Sequence, residues 1–175
     1  MTETHSADEA PRAAWRAMGM SDLAAVEAIA AAVHPTLPER PDVFAEKLTL
    51  FPQGCFALAG DGAVVGYAFA HPWRQGGVPK LDALLGGLPE DADCLFLHDV
   101  AVLPQARGQG ASGALVALLV ALAGARGLRA LALAAVYGTG RHWARAGFTP
   151  AGGESIAAQL APYGAGAQYM VRRLG

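Results

Sequence analysis

The sequence predicts an α/β fold in which a mixed sheet is flanked by helices on both faces. Three observations support this prediction. Apolar residues recur at helical spacing in the first part of the chain, and from Cys55 onward they follow strand patterns. The later segments come in the order hairpin, strand, helix, strand, helix, strand. The length of 175 residues is that of one domain with a sizeable core.

The elements of the first part begin with a short strand predicted over residues 12–18. Ser21 is a candidate N-cap for a helix that runs to Val33, because the apolar residues after it recur at helical spacing. The prolines of segment 35–41 end this helix. A second helix is expected over residues 42–51.

The later elements begin with a hairpin whose turn is Gly60-Asp61-Gly62. Residues 74–93 are rich in Gly and Pro and read as an insertion between two strands. The helix expected over 111–126 is apolar nearly all round and should therefore be deeply packed. In order, the pattern predicts strands over 55–59 and 64–70, a strand over 94–102, that helix, a strand over 128–136, a helix over 139–146, and closing strands from 148 and over 169–174.

Composition limits the class of protein. Residues 1–10 are polar and predict a disordered tail before a single domain over 11–175, and they lack the pattern of a signal peptide. Cys55 and Cys94 lack metal-ligand spacing, so we expect reduced thiols, no metal and a cytoplasmic location. The uncharged, Ala- and Gly-rich stretch over residues 110–125 has 16 residues, too few to span a membrane. Nothing resembles a nucleic-acid platform.

The two parts of the chain carry opposite charge although the formal total is only −2. Residues 1–99 have 14 Asp and Glu against 6 Lys and Arg, a net charge of −8. Residues 100–175 have 7 Arg against one acid, Glu154, a net charge of +6. A positive C-terminal part favours a phosphate ligand, although a skewed surface without a ligand would give the same count.

The most informative stretch is residues 95–113, LFLHDVAVLPQARGQGASG, in which an apolar strand leads through Arg107 and clustered glycines into a helix. Backbone N–H groups of such a turn and the positive end of the helix can face one phosphate. A dinucleotide fingerprint is disfavoured, because five residues separate Val102 from Gly108 and no acid follows until Glu154. The P-loop interpretation fails because no Gly-Lys-Ser/Thr is present.

The spacing Arg107, Gly110, Ser112 resembles the pyrophosphate-binding motif Q/R-x-x-G-x-G/A of the GNAT superfamily of N-acetyltransferases. The strand DVAVLP before it and the later segment HWARAGF, residues 142–148, resemble that family as well. The resemblance extends over residues 12–174 and is most specific over 95–148. One departure is Ser112, which stands where the family has Gly or Ala.

The resemblance implies a V-splayed central sheet and binding of acetyl-CoA without a metal. Backbone groups of Val100 and Val102 would pair with the pantetheine arm, and amides near Arg107 would hold the pyrophosphate, where side chains would block the approach. The implied cofactor-binding residues are Val100, Ala101, Val102, Arg107, Gly108, Gln109, Gly110, Ala111, Ser112 and Trp143.

Direct attack of an amine on a thioester needs a general base, and His98 and Asp99 on the motif strand are the candidates. Imidazole has an ordinary pKa of about 6.5, which suits this role, so His98 is preferred. A purely structural role in the sheet stays open for both residues. Strict alternation would place His98, Val100 and Val102 on one face, barring a bulge.

Trp143 stands where many members of the family have the tyrosine that protonates the departing thiolate, and an indole N–H cannot act as an acid near neutrality. Tyr137 is a substitute donor, and Tyr163 and Tyr169 are further options. The thiolate could also leave unassisted.

The acceptor side is the least specified part of the expected site. Tyr67, His71, Trp73 and the insertion 74–93 are expected to shape it. The acids of that insertion could attract a cationic amine or could simply be a solvated loop.

The predicted function is transfer of the acetyl group of acetyl-CoA to a primary amine, of a small molecule or a peptide, in a ternary complex. The alternative is an acyl-CoA-binding sensor module of the same fold with little catalysis. The protein would be a monomer or a homodimer without a membrane or nucleic-acid partner.

Overall fold

The computed structural model describes residues 12–175. Its strands are β1 (Ala14–Ala17), β2 (Cys55–Gly60), β3 (Ala63–Trp73), β4 (Cys94–Val102), β5 (Ala130–Ala135), β6 (Thr149–Pro150) and β7 (Gln168–Arg173). In this part of the chain they form a seven-stranded sheet in the order β1-β2-β3-β4-β5-β7-β6. Neighbours are antiparallel except for β4 and β5, which are parallel. The predicted mixed sheet is confirmed, and the tail predicted for residues 1–10 lies outside the described residues.

The helices are α1 (Leu23–Val33), α2 (Pro41–Leu50), α3 (Ala111–Ala125), α4 (Gly140–Arg145) and α5 (Glu154–Leu160). Helices α1 and α2 pack with Tyr67 and Phe69 on one side of the sheet. Helix α3 and Trp143 of α4 pack with Ala68 on the other side. Because alternate residues of a strand face opposite sides, helices cover both faces, as predicted. Within the described residues, no helix combines the length and apolar character needed to cross a membrane.

Three local expectations are wrong. Ser21 does not cap α1: a 3-10 turn over Met20–Asp22 precedes the helix, and the Asp22 carboxylate accepts the Gly19 N–H at 2.8 Å. The closing strand expected from residue 148 is only two residues long, and α5, which the pattern does not predict, follows it. Helix α3 buries one side only.

The packing of α3 follows from the size of its side chains. Leu115, Leu119 and Ala123 are buried, whereas Leu118 on the outer side is 39% exposed. The rest of that outer side is mostly Ala and Gly, which expose little apolar area. An all-apolar sequence therefore tolerates a solvent-facing side here.

The sheet splits between its two parallel strands. Strand β4 pairs with β5 only from Cys94 to Leu97, opposite Ala130 to Leu133. Beyond that point β4 pairs with β3 alone and β5 with β7 alone. The strands therefore diverge into a V-shaped opening that exposes one edge of β4, which confirms the predicted splay.

A β-bulge in β4 sets the direction of the residues at this opening. Phe69 of β3 pairs with Asp99 and Ala70 pairs with Leu97, so His98 is the extra residue. The bulge brings both His98 and Asp99 to the side of α1 and α2, and Val100 points to the side of α3. The prediction that His98 and Val100 share a face is therefore wrong.

Candidate active site

The V-shaped opening is the mouth of a cleft with a volume of about 900 Å³. At one end it is lined by the loop and helix start over residues 107–113, and at the other by the segment between α1 and α2. Predicted site residues that line it are His98, Asp99, Val100, Ala101, Val102, Arg107, Gly108, Gly110, Ala111, Ser112, Tyr137 and Trp143. Gln109 is exposed and does not line it.

The glycine loop forms the outer end of the cleft. Gly108 and Gly110 have φ angles of 77° and 83°, a left-handed conformation that side chains disfavour. A Cβ built at either position would meet no protein atom within 4 Å, so the space in front of the loop is open. The glycines therefore serve the backbone conformation and the access of a ligand.

Helix α3 points its N-terminus at this loop. The Ala114 N–H donates to Gly110 O at 3.1 Å, so by helix geometry the amides of Ala111, Ser112 and Gly113 lack an acceptor in the helix. The Trp15 indole N–H donates to Ala111 O at 2.8 Å and fixes the helix start to β1. The result is an array of amide donors with the positive end of a helix behind it, which is suited to an anion.

The exposed edge of β4 presents the backbone groups of Val100 and Val102 to the opening. The Leu103 N–H donates to Val65 O, and peptide groups alternate along a strand, so those of Val102 and Val100 point away from β3. Their carbonyls accept from two side chains, Val102 O from Arg107 Nε at 2.9 Å and Val100 O from His34 Nε2 at 3.1 Å. Arg107 is thereby held at the glycine loop.

At the inner end of the cleft, Asp99 joins three structural elements. Its Oδ2 accepts from the Tyr67 hydroxyl at 2.7 Å, and its Oδ1 lies 3.1 Å from His34 Nε2. Both oxygens are therefore engaged. The carboxylate orients the His34 ring, whose other nitrogen, Nδ1, is buried without a hydrogen-bond partner.

The protonation of His34 follows from its neighbours. Nε2 faces two acceptors, Asp99 Oδ1 and Val100 O, and so carries a proton. Burial lowers the pKa of His34, but the hydrogen bond and charge of Asp99 outweigh it, so the pKa is raised. In its neutral form the ring keeps a lone pair on Nδ1. A carboxylate–imidazole pair of this kind is the arrangement of a general base.

A second chain of polar groups lies beside the first. His71 Nδ1 donates to Pro72 O at 3.1 Å, and His71 Nε2 lies 3.0 Å from His98 Nδ1. His98 Nε2 lies 3.4 Å from Glu39 Oε1 without hydrogen-bond geometry, and Glu39 Oε2 accepts from Lys47 Nζ at 3.0 Å. The side chains of His98, Glu39 and Lys47 are only 1%, 6% and 1% exposed.

In this series of four polar side chains, Glu39 and Lys47 carry the charge. Burial lowers the pKa of His71 to about 3, with a contribution from His98. Burial and Lys47 lower the pKa of His98. Both rings are therefore neutral near pH 7. Burial by itself raises the pKa of Glu39, yet its charged partner lowers it below its usual range. Since His98 is neutral, we assign this lowering to Lys47.

Tyr137 and Trp143 line the β5 side of the cleft. The Tyr137 ring stacks on His34 at a centroid distance of 5.6 Å, and its hydroxyl lies 3.2 Å from Thr36 Oγ1. Tyr137 is 54% exposed, so its hydroxyl is accessible. The Trp143 ring packs edge-on against Phe148 at 5.8 Å and is buried. Of the further tyrosines, Tyr163 lines the cleft and Tyr169 does not.

The insertion 74–93 has no helix or strand, and its acids serve as surface contacts. Asp82 accepts from Arg40, Asp91 from Arg74 and Asp93 from the Gln75 N–H, and the cleft is not lined by them. The solvated-loop interpretation of these acids therefore fits the structure. Tyr67, His71 and Trp73 are not lining residues, but Tyr67 and His71 hold Asp99 and His98 in place.

The sequence patterns missed His34, Glu39 and Lys47. Lys47 carried one signal, since it falls among Val43, Phe44 and Leu48 on the apolar side of a predicted helix, where a charge needs a partner. His34 and Glu39 flank a proline-rich segment without periodicity and carried no such signal. Among residues 12–175, no group of three or more His, Cys, Asp or Glu could hold a metal ion.

Comparison with known proteins identifies the class of fold to which this splayed mixed sheet belongs. The family model "Acetyltransferase (GNAT) family" matches residues 21–148, and the chain belongs to this family. No curated protein matches it.

Solved structures share the fold at low identity. The GphF GNAT-like decarboxylase in complex with isobutyryl-CoA has a TM-score of 0.72 at 18% identity, covering 93% of this chain and 100% of its own. Rv2747 from Mycobacterium tuberculosis, in complex with CoA and NLQ, has a TM-score of 0.66 at 19% identity, covering 93% and 99%. The ribosomal-protein-S18-alanine N-acetyltransferase from Escherichia coli has a TM-score of 0.61 at 18% identity, covering 93% and 94%.

Proposed function

We propose that the protein transfers the acetyl group of acetyl-CoA to a primary amine by direct attack in a ternary complex. One observation supports this most strongly. A single cleft joins an amide-lined glycine loop to His34, a carboxylate-held imidazole with an unpartnered buried nitrogen. Anion-binding donors and a base at opposite ends of one cleft suit a phosphate-bearing acyl donor and an amine that must lose a proton.

The residues present fit acetyl-CoA. The amides of residues 108–113 with Arg107 would hold the pyrophosphate, because two left-handed glycines leave open space before the helix N-terminus. The N–H groups of Val100 and Val102 on the exposed edge of β4 would pair with the pantetheine arm as a strand partner, since their carbonyls accept from His34 and Arg107. Trp143 and Ala101 would line the acyl-carrying part of the cleft.

When bound, acetyl-CoA supplies the thioester carbonyl, at which the amine nitrogen forms a bond as the carbon–sulfur bond breaks. His34 Nδ1 takes the proton that the amine loses, and Asp99 holds the resulting imidazolium. Tyr137, whose hydroxyl is accessible, donates a proton to the departing sulfur. Asp99 thus acts as a positioning residue for His34, and His98 belongs to the acceptor side of the cleft.

The raised pKa of His34 is consistent with this role. A general base works best when its pKa lies near the working pH, since it must be unprotonated yet accept a proton readily. His98 is less suited, because its Nδ1 is bonded to His71 and burial lowers its pKa.

The test measures thiol release from acetyl-CoA with a panel of primary amines, together with identification of the acetylated amine by mass spectrometry. Amine-dependent release that falls on the order of 100-fold in His34→Gln would support the proposal. The matched checks are unchanged CoA affinity by calorimetry and an unchanged melting temperature. Tight CoA binding with only hydrolysis-level release for every amine would instead identify a binding module.

We also propose a reducing, cytoplasmic location. Both Cys55 and Cys94 are buried and carry free thiols, and burial raises the pKa of each to about 12. Such thiols are unreactive structural residues. A redox-sensitive probe fused to the protein in cells would test the compartment.

A further inference from the structure

We infer that the inner end of the cleft is a closed site for a small primary amine that carries an apolar body and no carboxylate. This inference rests on the proposed function and narrows its acceptor. It begins from two buried atoms without a hydrogen-bond partner, His34 Nδ1 and His98 Nε2, whose side chains both line the cleft.

The proton count shows what His98 needs. The Pro72 carbonyl can only accept, so His71 Nδ1 carries the proton of that ring and His71 Nε2 is bare. His98 Nδ1 must then donate to it, which leaves the His98 Nε2 lone pair facing the Glu39 carboxylate. Two acceptors 3.4 Å apart do not bond each other, and each needs a donor.

An ammonium group supplies those donors. Acceptors 3.4 Å apart can both receive N–H bonds of about 2.8–3.0 Å from one nitrogen. Glu39 Oε1 adds charge to the contact, since Lys47 engages only Oε2. His34 Nδ1, in the same cleft, is the third acceptor, and it can take the proton in the transfer step.

The charges at this end disfavour a carboxylate. Lys47 is buried behind Glu39 and does not line the cleft, and the Asp99 carboxylate faces inward. Of the two histidines that line the inner end, His98 is neutral because burial and Lys47 lower its pKa, and His34 is already paired with Asp99. An amino acid would place its carboxylate beside Glu39 and Asp99 without a partner.

Two ties close the same end against a longer chain. The Arg40 N–H donates to Asp82 Oδ1 at 2.7 Å and joins the α1–α2 segment to the insertion 74–93. The Tyr163 hydroxyl donates to Pro79 O at 2.6 Å and joins that insertion to the end of α5. Leu81 lies between these ties and lines the cleft.

Leu81 shares this lining with Val33 and Leu37. These three side chains form an apolar wall. The body of the amine therefore packs on hydrocarbon, and a longer peptide would have to pass the two ties.

The experiment uses 3-methylbutylamine, leucine and leucylglycinamide, which share one side chain. Their binding to the protein saturated with CoA is measured by calorimetry and by the imidazole NMR signals of His98 and His34. We expect 3-methylbutylamine to bind, leucine to bind on the order of 100-fold more weakly and leucylglycinamide about 10-fold more weakly. Equal binding of leucine or leucylglycinamide, or binding that leaves the His98 signal unmoved, would overturn the inference. Binding does not require turnover, so failed acetyl transfer would reject the proposed function separately.

Variants test separately the carboxylate of Glu39 and the ties that limit the inner end of the cleft. Glu39→Gln should weaken the binding of 3-methylbutylamine about 10-fold. Since it leaves Lys47 buried and unpaired, Glu39→Gln with Lys47→Met tests the same loss in a neutral pair. Asp82→Gly removes the carboxylate that accepts the Arg40 N–H, at a residue whose φ of 50° suits glycine. It should remove the discrimination against leucylglycinamide while keeping that against leucine. Arg74→Ala, which breaks an exposed contact elsewhere on the insertion, is the matched control and should change neither ratio.

Discussion

Asp99→Asn is the sharpest perturbation of the proposed base. Asp99 accepts from two donors, the Tyr67 hydroxyl at 2.7 Å and His34 Nε2 at 3.1 Å. Asparagine offers one oxygen and one amide nitrogen in the same space, so one donor loses its acceptor. If the nitrogen faces His34, its N–H competes for Nε2 with the proton that Nε2 donates to Val100 O, and this favours the tautomer with the proton on Nδ1, where the base is needed.

The size and sign of the effect follow from the lost charge. An opposite charge at this range shifts a pKa by about 1–3 units, about 1.4 kcal/mol for each unit. Asp99 raises the pKa of His34 by favouring the cation, so its removal lowers that pKa. A base is active once deprotonated, so the acid limb of the rate profile should move to lower pH. We expect kcat/KM on its plateau to fall on the order of 100-fold or more.

The assay records acetyl transfer against pH and, independently, the NMR titration of the His34 ring. Tyr67→Phe is the matched control, since it removes one donor and leaves the Asp99–His34 contact in place. The double variant Tyr67→Phe with Asp99→Asn frees the single amide oxygen for His34 and should regain at least about tenfold in rate over Asp99→Asn. An acid limb that stays fixed while the NMR pKa of His34 moves would show that His34 is not the base.

Three other outcomes are expected. Gly108→Ala should weaken CoA binding at least about 10-fold, because a left-handed alanine costs about 1–2 kcal/mol and its methyl enters the ligand space. The control is Gly62→Ala, which has the same φ of 77° in the hairpin turn. It should destabilise the fold and leave the CoA affinity measured by calorimetry unchanged. Arg107→Glu should weaken CoA binding at least about 10-fold and make that binding less dependent on salt, whereas Arg173→Glu, at an exposed site, should do neither. Equal effects of the two variants in titrations at two salt concentrations would argue against a pyrophosphate contact. Burial lowers the pKa of His71 to about 3, against about 6.5 for a histidine in the unfolded chain. Between these values the unfolded chain binds a proton that the native state does not, so the free energy of unfolding decreases as the pH is lowered below about 6.5. In urea unfolding, His71→Phe should therefore reduce that slope by up to about 1.4 kcal/mol per pH unit, and an unchanged slope would mean that His71 is already charged in the native state.

Local sequence signals were enough for the outer end of the cleft. The strand predicted over 94–102 has the observed bounds, and the glycine loop and helix start follow it where the pattern places them. Such features depend on neighbouring residues only: an apolar run, a proline, glycines able to adopt positive φ. The hairpin turn at Asp61 and Gly62 was predictable for the same reason.

The inner end was not predictable from such signals. The bulge at His98 depends on how β3 aligns with β4, which no single strand encodes. His34 and Glu39 become site residues only because the segment after α1 lies over the open edge of β4, a long-range arrangement. The buried charge of Lys47 was visible as an anomaly in an apolar helix face, but its partner was not.

The hydrogen bond from the Trp15 indole to Ala111 O has a practical consequence. A fluorophore at the sheet's outermost strand touches the first peptide of the helix that would face the ligand's phosphates. Loading of the cleft should therefore be visible in the intrinsic emission of the unlabelled protein. By the same contact, trimming the chain beyond Trp15 would loosen a binding site that lies nearly a hundred residues away in sequence.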